Sequence, residues 1–323
     1  MNQLTQKLKI IISGAFVLFL LNQPILAKTV ETDRFIYYLD NPNMLNQAQV
    51  VLEKVNLKLV AIFGDTLRYR PEVYIVGDLN QFNRMTENMA PDWGAAVAIP
   101  YLQRMVLKSP EKFNLNKSLE ELLAHEYTHL FLADRIGFGE LPRWFNEGMA
   151  MYMSSEWGWS NNIAMSKAGA FGQLIPLYGI EKINSFNEGK AQVAYAQSYL
   201  AVQFMLEHYS DKAADIFVKE LALGRTIDEA IYQATGSTLK EFEADYKIYL
   251  NQRFNWVSLF MDTIFFWLFL AVIVVIGFWI KFRKRREYYK KWEEDEKLHS
   301  TDFDYGDSDN PEQIDDDDEA WRS

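Results

Sequence analysis

His125, Glu126 and His129 stand in the pattern H-E-x-x-H. Two histidines four positions apart on a helix project from one face, so both imidazoles can reach a single metal ion. Glu126 lies between them, placed to take a proton from a water at that ion. Seventeen residues separate His129 from Glu147, which sits in the run W-F-N-E-G-M-A at 144–150. A carboxylate supplied from there completes a His2Glu set and leaves a fourth position open, as catalytic zinc requires. These types at this spacing predict a zinc hydrolase, with the peptide bond as the expected substrate.

A metal set of this kind needs a rigid helix beneath it. Ser118 and Glu121 form a capping box just ahead of the motif, and Gly137 offers a stop after it. Leu119, Leu122, Leu123, Tyr127, Leu130 and Phe131 give the intervening helix an apolar stripe. The chain has four histidines in all, so chance pairs at this spacing are rare. Histidine ligands are commonly held through their free ring nitrogen by a neighbouring carboxylate. Glu121, Asp134, Glu140 and Glu156 are the candidates close enough in sequence.

The two segments together resemble the gluzincin metallopeptidases, the peptidase-MA-like and aminopeptidase N-like group, whose second signature is W-x-x-E-G-x-A. The resemblance covers roughly residues 30–250 in outline and is specific only at 125–129 and 144–150. It implies that His125, His129 and Glu147 hold Zn²⁺ and that Glu126 is the general base. It also implies a polypeptide substrate and an α+β catalytic domain: a small N-terminal sheet with the active-site helix, then a helical subdomain. Aminopeptidase N-like enzymes usually have eighteen residues between histidine and glutamate; a shorter loop at 133–141 absorbs the difference. The exopeptidase segment G-x-M-E-N is missing, and Met151 stands where thermolysin-like enzymes have an aspartate. A tyrosine-bearing helix follows the glutamate in peptidase-MA-like proteins, and residues 194–199 resemble it. Tyr195 is the first candidate for stabilising a tetrahedral oxyanion, and Tyr199 the second.

Ahead of the motif, the pattern predicts strands at 34–39 and 72–76 and a helix over 45–62 stopped by Gly64. Asp78 is expected to cap a short helix reaching about Met89. Strands at 94–99 and 104–107 are expected to pair; the order resembles the small sheet of the gluzincins, which implies 95–99 as the edge that binds substrate by β-augmentation, with a plain structural hairpin as the alternative. After Ala150 the pattern is helical, with further capping boxes at Thr226/Glu229 and Thr238/Glu241.

Composition sets the compartment. Net charge is −11 and there is no cysteine, which argues against a nucleic-acid role and excludes disulfides and thiolate metal sites. Residues 1–27 read as a signal peptide, with Lys7 and Lys9 before a short apolar run. Residues 28–255 form the expected catalytic domain. Residues 256–280 read as a transmembrane helix, followed by Lys281, Arg283, Lys284, Arg285 and Arg286. The positive-inside rule puts that basic end in the cytoplasm and the catalytic domain outside. Residues 281–323 read as a basic, then acidic disordered tail, a candidate docking segment for a cytoplasmic partner. The expectation is a single-pass, membrane-embedded zinc endopeptidase. The alternative is a degenerate domain that serves as a binding or assembly module, against which the intact Glu126 counts. An intramembrane protease is disfavoured by Glu120, Glu121 and Asp134 beside the motif.

Overall fold

The computed structural model describes residues 28–88 and 94–298. The expected signal peptide and residues 299–323 lie outside them. The sheet comes first in the chain: β1 (Lys28–Glu31), β2 (Ile36–Leu39), β3 (Glu72–Val76), β4 (Ala96–Ile99) and β5 (Arg104–Lys108), in spatial order β1-β2-β3-β5-β4. The β2–β3 and β3–β5 pairs are parallel, and the two outer pairs are antiparallel. Helix α1 (Met44–Phe63) makes the β2–β3 crossover. It ends at Gly64, whose φ of 97° suits a residue without a side chain.

Alternation along the strands splits the apolar residues between two faces. Tyr37, Leu39, Val73, Ile75, Met105 and Leu107 join the main core with α1 and the motif helix. Tyr74, Val76, Ile99 and Val106 turn to the other face around Phe82 of α2 (Leu79–Met85). Asp78 caps α2 as expected, accepting from the Gln81 amide, but the helix ends at Met85. The first strand of the sheet, β1, gave no pattern in the sequence; it pairs only with β2 at the outer edge.

The remainder of the first compact unit, which runs to Asp262, is helical. Its elements are α3 (Pro110–Phe113), α4 (Leu119–Ile136), α5 (Arg143–Ser154), α6 (Trp159–Ala170), α7 (Glu188–His208), α8 (Ala213–Ala222), α9 (Ile227–Thr235) and α10 (Leu239–Arg253). All three expected capping boxes form, at Ser118/Glu121, Thr226/Glu229 and Thr238/Glu241. The architecture is thus mixed α and β, mostly helical, with one small sheet.

The last helix, α11 (Trp256–Leu298), begins two residues after α10, and its greater part forms the second compact unit. It is long and apolar enough to cross a membrane, and its apolar side chains stand exposed. The helix does not stop at the basic residues. It continues through Leu298, so the disorder expected over 281–323 does not hold for 281–298. Lys, Arg and Glu are good helix formers, and i,i+4 pairs such as Arg283–Glu287 carry the helix on.

Candidate metal centre

Helix α4 presents His125 and His129 on one face, their rings 4.9 Å apart and inclined at 74°. Helix α5 brings Glu147 opposite them. Its Oε2 lies 3.8 Å from His125 Nε2 and 3.9 Å from His129 Nε2, and one ligand atom from each residue falls within 4.8 Å of the others. Tetrahedral zinc with bonds of ~2.0–2.2 Å holds its donors about 3.3–3.6 Å apart. The two imidazoles and the carboxylate therefore fit a divalent ion, with Glu147 already within about 0.6 Å of ligand spacing from each imidazole and the set as a whole needing to close by at most about 1.5 Å.

The outer ring nitrogens are engaged, which leaves the inner ones free. His125 Nδ1 is 2.7 Å from Glu156 Oε1, and His129 Nδ1 is 3.0 Å from Asn146 Oδ1. A carboxylate and an amide oxygen accept only, so each Nδ1 carries the proton and each Nε2 keeps its lone pair for a metal. Glu156 is itself held: Ser154 Oγ donates to its Oε1 at 2.8 Å, and Lys117 Nζ lies 2.5 Å from its Oε2. Burial pushes the Glu156 pKa up, but the His125 hydrogen bond and charge and the Lys117 charge pull it down further, to about 2. For His125, burial works against protonation, and the bond to Glu156 with the charges of Glu126 and Glu156 outweighs it, raising the pKa.

A local device returns Glu156 to this position. Helix α5 closes at Ser155 in the left-handed conformation, φ 58°, with its amide bonded back into the last turn. The chain reverses there, and Glu156 folds beside the helix instead of continuing it. Of the other sequence candidates, Glu121 is spent on the capping box and Asp134 pairs with Arg68 at 3.0 Å. Glu140 stands exposed on the α4–α5 loop.

A cleft of about 550 Å³ opens over the set. Glu126 lines it with His125, His129 and Glu147, while Ala96, Val97 and Ala98 of the edge strand β4 form another wall. Arg143, in the first turn of α5, reaches Glu147 Oε1 at 3.5 Å. Tyr195 on α7 is half-buried and adjoins both. Burial and the Glu147 charge raise its pKa, while the Arg143 charge and hydrogen bond lower it. Tyr195 is therefore a neutral phenol near the ligand set at ordinary pH. Tyr199 lies elsewhere, stacked on Trp157 at 5.0 Å and packed against Tyr152, so the structure makes it part of an aromatic cluster.

The glycine after Glu147 has a packing reason. A Cβ on Gly148 would sit 2.2 Å from the Ser198 carbonyl oxygen, so its absence lets α7 press directly onto α5. That contact fixes the turn of α5 that bears Glu147. Sequence reasoning missed Asn146, Lys117 and Ser154. Asn146 had one usable signal, its position beside Glu147 on the face that meets α4. Lys117 and Ser154 had none, because their role exists only once Glu156 has folded back.

Comparison with known proteins adds two findings. The profile of the peptidase MA superfamily matches residues 53–252, which include both α4 and α5. The chain is also 23% identical over 154 residues to an uncharacterized protein, YhcO, of Bacillus subtilis (strain 168). That match covers 45% of this chain and 44% of the relative.

Proposed function

The chain belongs to the peptidase MA superfamily, and from that premise we propose that it is a membrane-tethered zinc endopeptidase acting outside the cytoplasm. The observation that carries this reading is the convergence of His125, His129 and Glu147, with Glu126 in the same cleft. Zn²⁺ held there would supply Lewis acidity, polarising a scissile carbonyl and lowering the pKa of a water from ~15.7 towards ~7.

The chain's own groups do the rest. Glu156 and Asn146 hold the imidazoles in the tautomer that leaves Nε2 unprotonated. Arg143 engages one oxygen of Glu147 and leaves the other facing the histidines. Glu126 takes the water proton and passes it to the leaving amine. Tyr195 donates its phenolic hydrogen to the developing oxyanion. The substrate lies extended along β4, an edge strand with small side chains towards the cleft. The missing exopeptidase segment favours internal cleavage of the polypeptide. The apolar helix supplies the anchor, and the basic residues after it put the C-terminus in the cytoplasm.

The degenerate alternative predicts binding without turnover. A protease assay on the chain beside its Glu126→Gln variant tests this. Hydrolysis by the first and none by the second is expected. Equal hydrolysis, or none by either in metal-loaded protein, overturns the enzymatic reading.

A further inference from the structure

Helix α6 and the end of α10 meet at Phe254. A Cβ on Gly169 would lie 2.1 Å from the Phe254 carbonyl oxygen, so only a glycine permits this approach. At the other end of α6, the Trp157 ring packs 6.1 Å from the Phe254 ring. Phe254 is buried by these neighbours, whereas two aromatic rings beside them are not. Trp159 and Phe171, each two positions from a residue that touches Phe254, are 54% and 58% exposed. From Phe254 the chain passes through Asn255 into α11, whose uncharged stretch 263–280 spans about 27 Å at 1.5 Å per residue.

Charge around this junction departs from the rest of the molecule. The chain has 44 acidic residues and a net charge of −11, yet residues 157–180 and 246–261 contain neither Asp nor Glu. The charged residues they do contain are Lys167, Lys247 and Arg253, all exposed. An ordinary solvated face of so acidic a protein carries carboxylates. Two stretches that carry exposed Trp and Phe and scattered cations but no carboxylate of their own have instead the chemistry of a lipid interface. There the rings sit at headgroup depth, the cations meet phosphates, and carboxylates are repelled by anionic lipid.

We propose that this face of the first unit, carrying Trp159, Lys167 and Phe171 on and just after α6, is a membrane-contact surface that rests on the headgroups of the bilayer. It builds on the tethered reading and adds to it. The domain is held by a second point of lipid contact rather than by the two-residue connection alone.

The absence of native cysteine allows a direct test on the full chain. Trp159→Cys, Phe171→Cys and, as a control on the exposed outer face of α1, Leu57→Cys each give one site for a nitroxide. The protein is reconstituted in vesicles of phosphatidylcholine with a minority of phosphatidylglycerol. Collisions are compared with oxygen, which concentrates in lipid, and with a water-soluble nickel chelate. The oxygen-to-nickel ratio is expected to be several-fold higher at 159 and 171 than at 57. Ratios equal to that at 57 overturn the proposal. So does protection from both quenchers, which would mean that a second protein copy covers the face. A chain that fails to float with the vesicles defeats the tethered reading itself, whereas a floating chain with water-exposed labels defeats this proposal alone.

Discussion

Roles divide sharply among the residues of the centre. Glu147 faces the ligand atoms of both histidines, so Glu147→Ala is expected to weaken metal binding. In the proposed mechanism Glu126 acts on water, so Glu126→Gln should keep the metal and lose about 10²–10⁴-fold in hydrolysis. Metal content and turnover measured on both variants check this; equal loss of metal contradicts the assignment. Glu156 was one of four carboxylates open to sequence reasoning, and only the turn at Ser155 selects it. Glu156→Gln keeps an acceptor for His125 but removes the charge, and is expected to cost about 10–100-fold in zinc affinity. Competition with a chromogenic chelator reads that change, and an unaltered affinity would show that the 2.7 Å contact does not tune the site. The histidine pair was legible because H-E-x-x-H needs only one helix to bring its members together, and Glu147 was legible only through the second signature at 144–150. The partners of the histidines were not, because each depends on where a second element docks.

Among the elements, α4, α5 and β4 decide the geometry, and their legibility follows local signal strength. The capping box and Gly137 marked both ends of α4 to the residue. Helix α7 was expected through the resemblance at 194–199, but its register against α5 was not legible, because it rests on a backbone approach at Gly148. Gly148→Ala forces a methyl into the Ser198 carbonyl, where neither backbone can yield cheaply. A loss of about 1–3 kcal/mol or more in stability is expected from the overpacking, read as a lower melting temperature with looser zinc binding. A variant as stable as the parent would show that the α5–α7 contact is softer than the structure indicates. The short strand β1 and the continuation of α11 past Ile280 escaped the sequence for opposite reasons. One is too short for a pattern, and the other carries charges that break an apolar run without breaking a helix.

For the whole molecule, the proposed topology and tether are each open to a direct test. A reporter active only in the cytoplasm should give signal when fused after Ser323 and none when fused near Asn251; the reverse pattern refutes an outside catalytic domain. With a two-residue connection between α10 and α11, the tethered domain has little chain with which to wander. Membrane-adjacent proteins are therefore the expected substrates. A chain stopped after Asn251 but still exported should process them less well at equal abundance, and undiminished processing would remove tethering from substrate choice. All of this presupposes a metal enzyme, and metal analysis of the full chain, purified in detergent without chelator, tests that most directly. About one zinc per chain, falling away in the Glu147→Ala variant, is the predicted result. Protein that holds no stoichiometric metal, and takes up none when zinc is added, would contradict it.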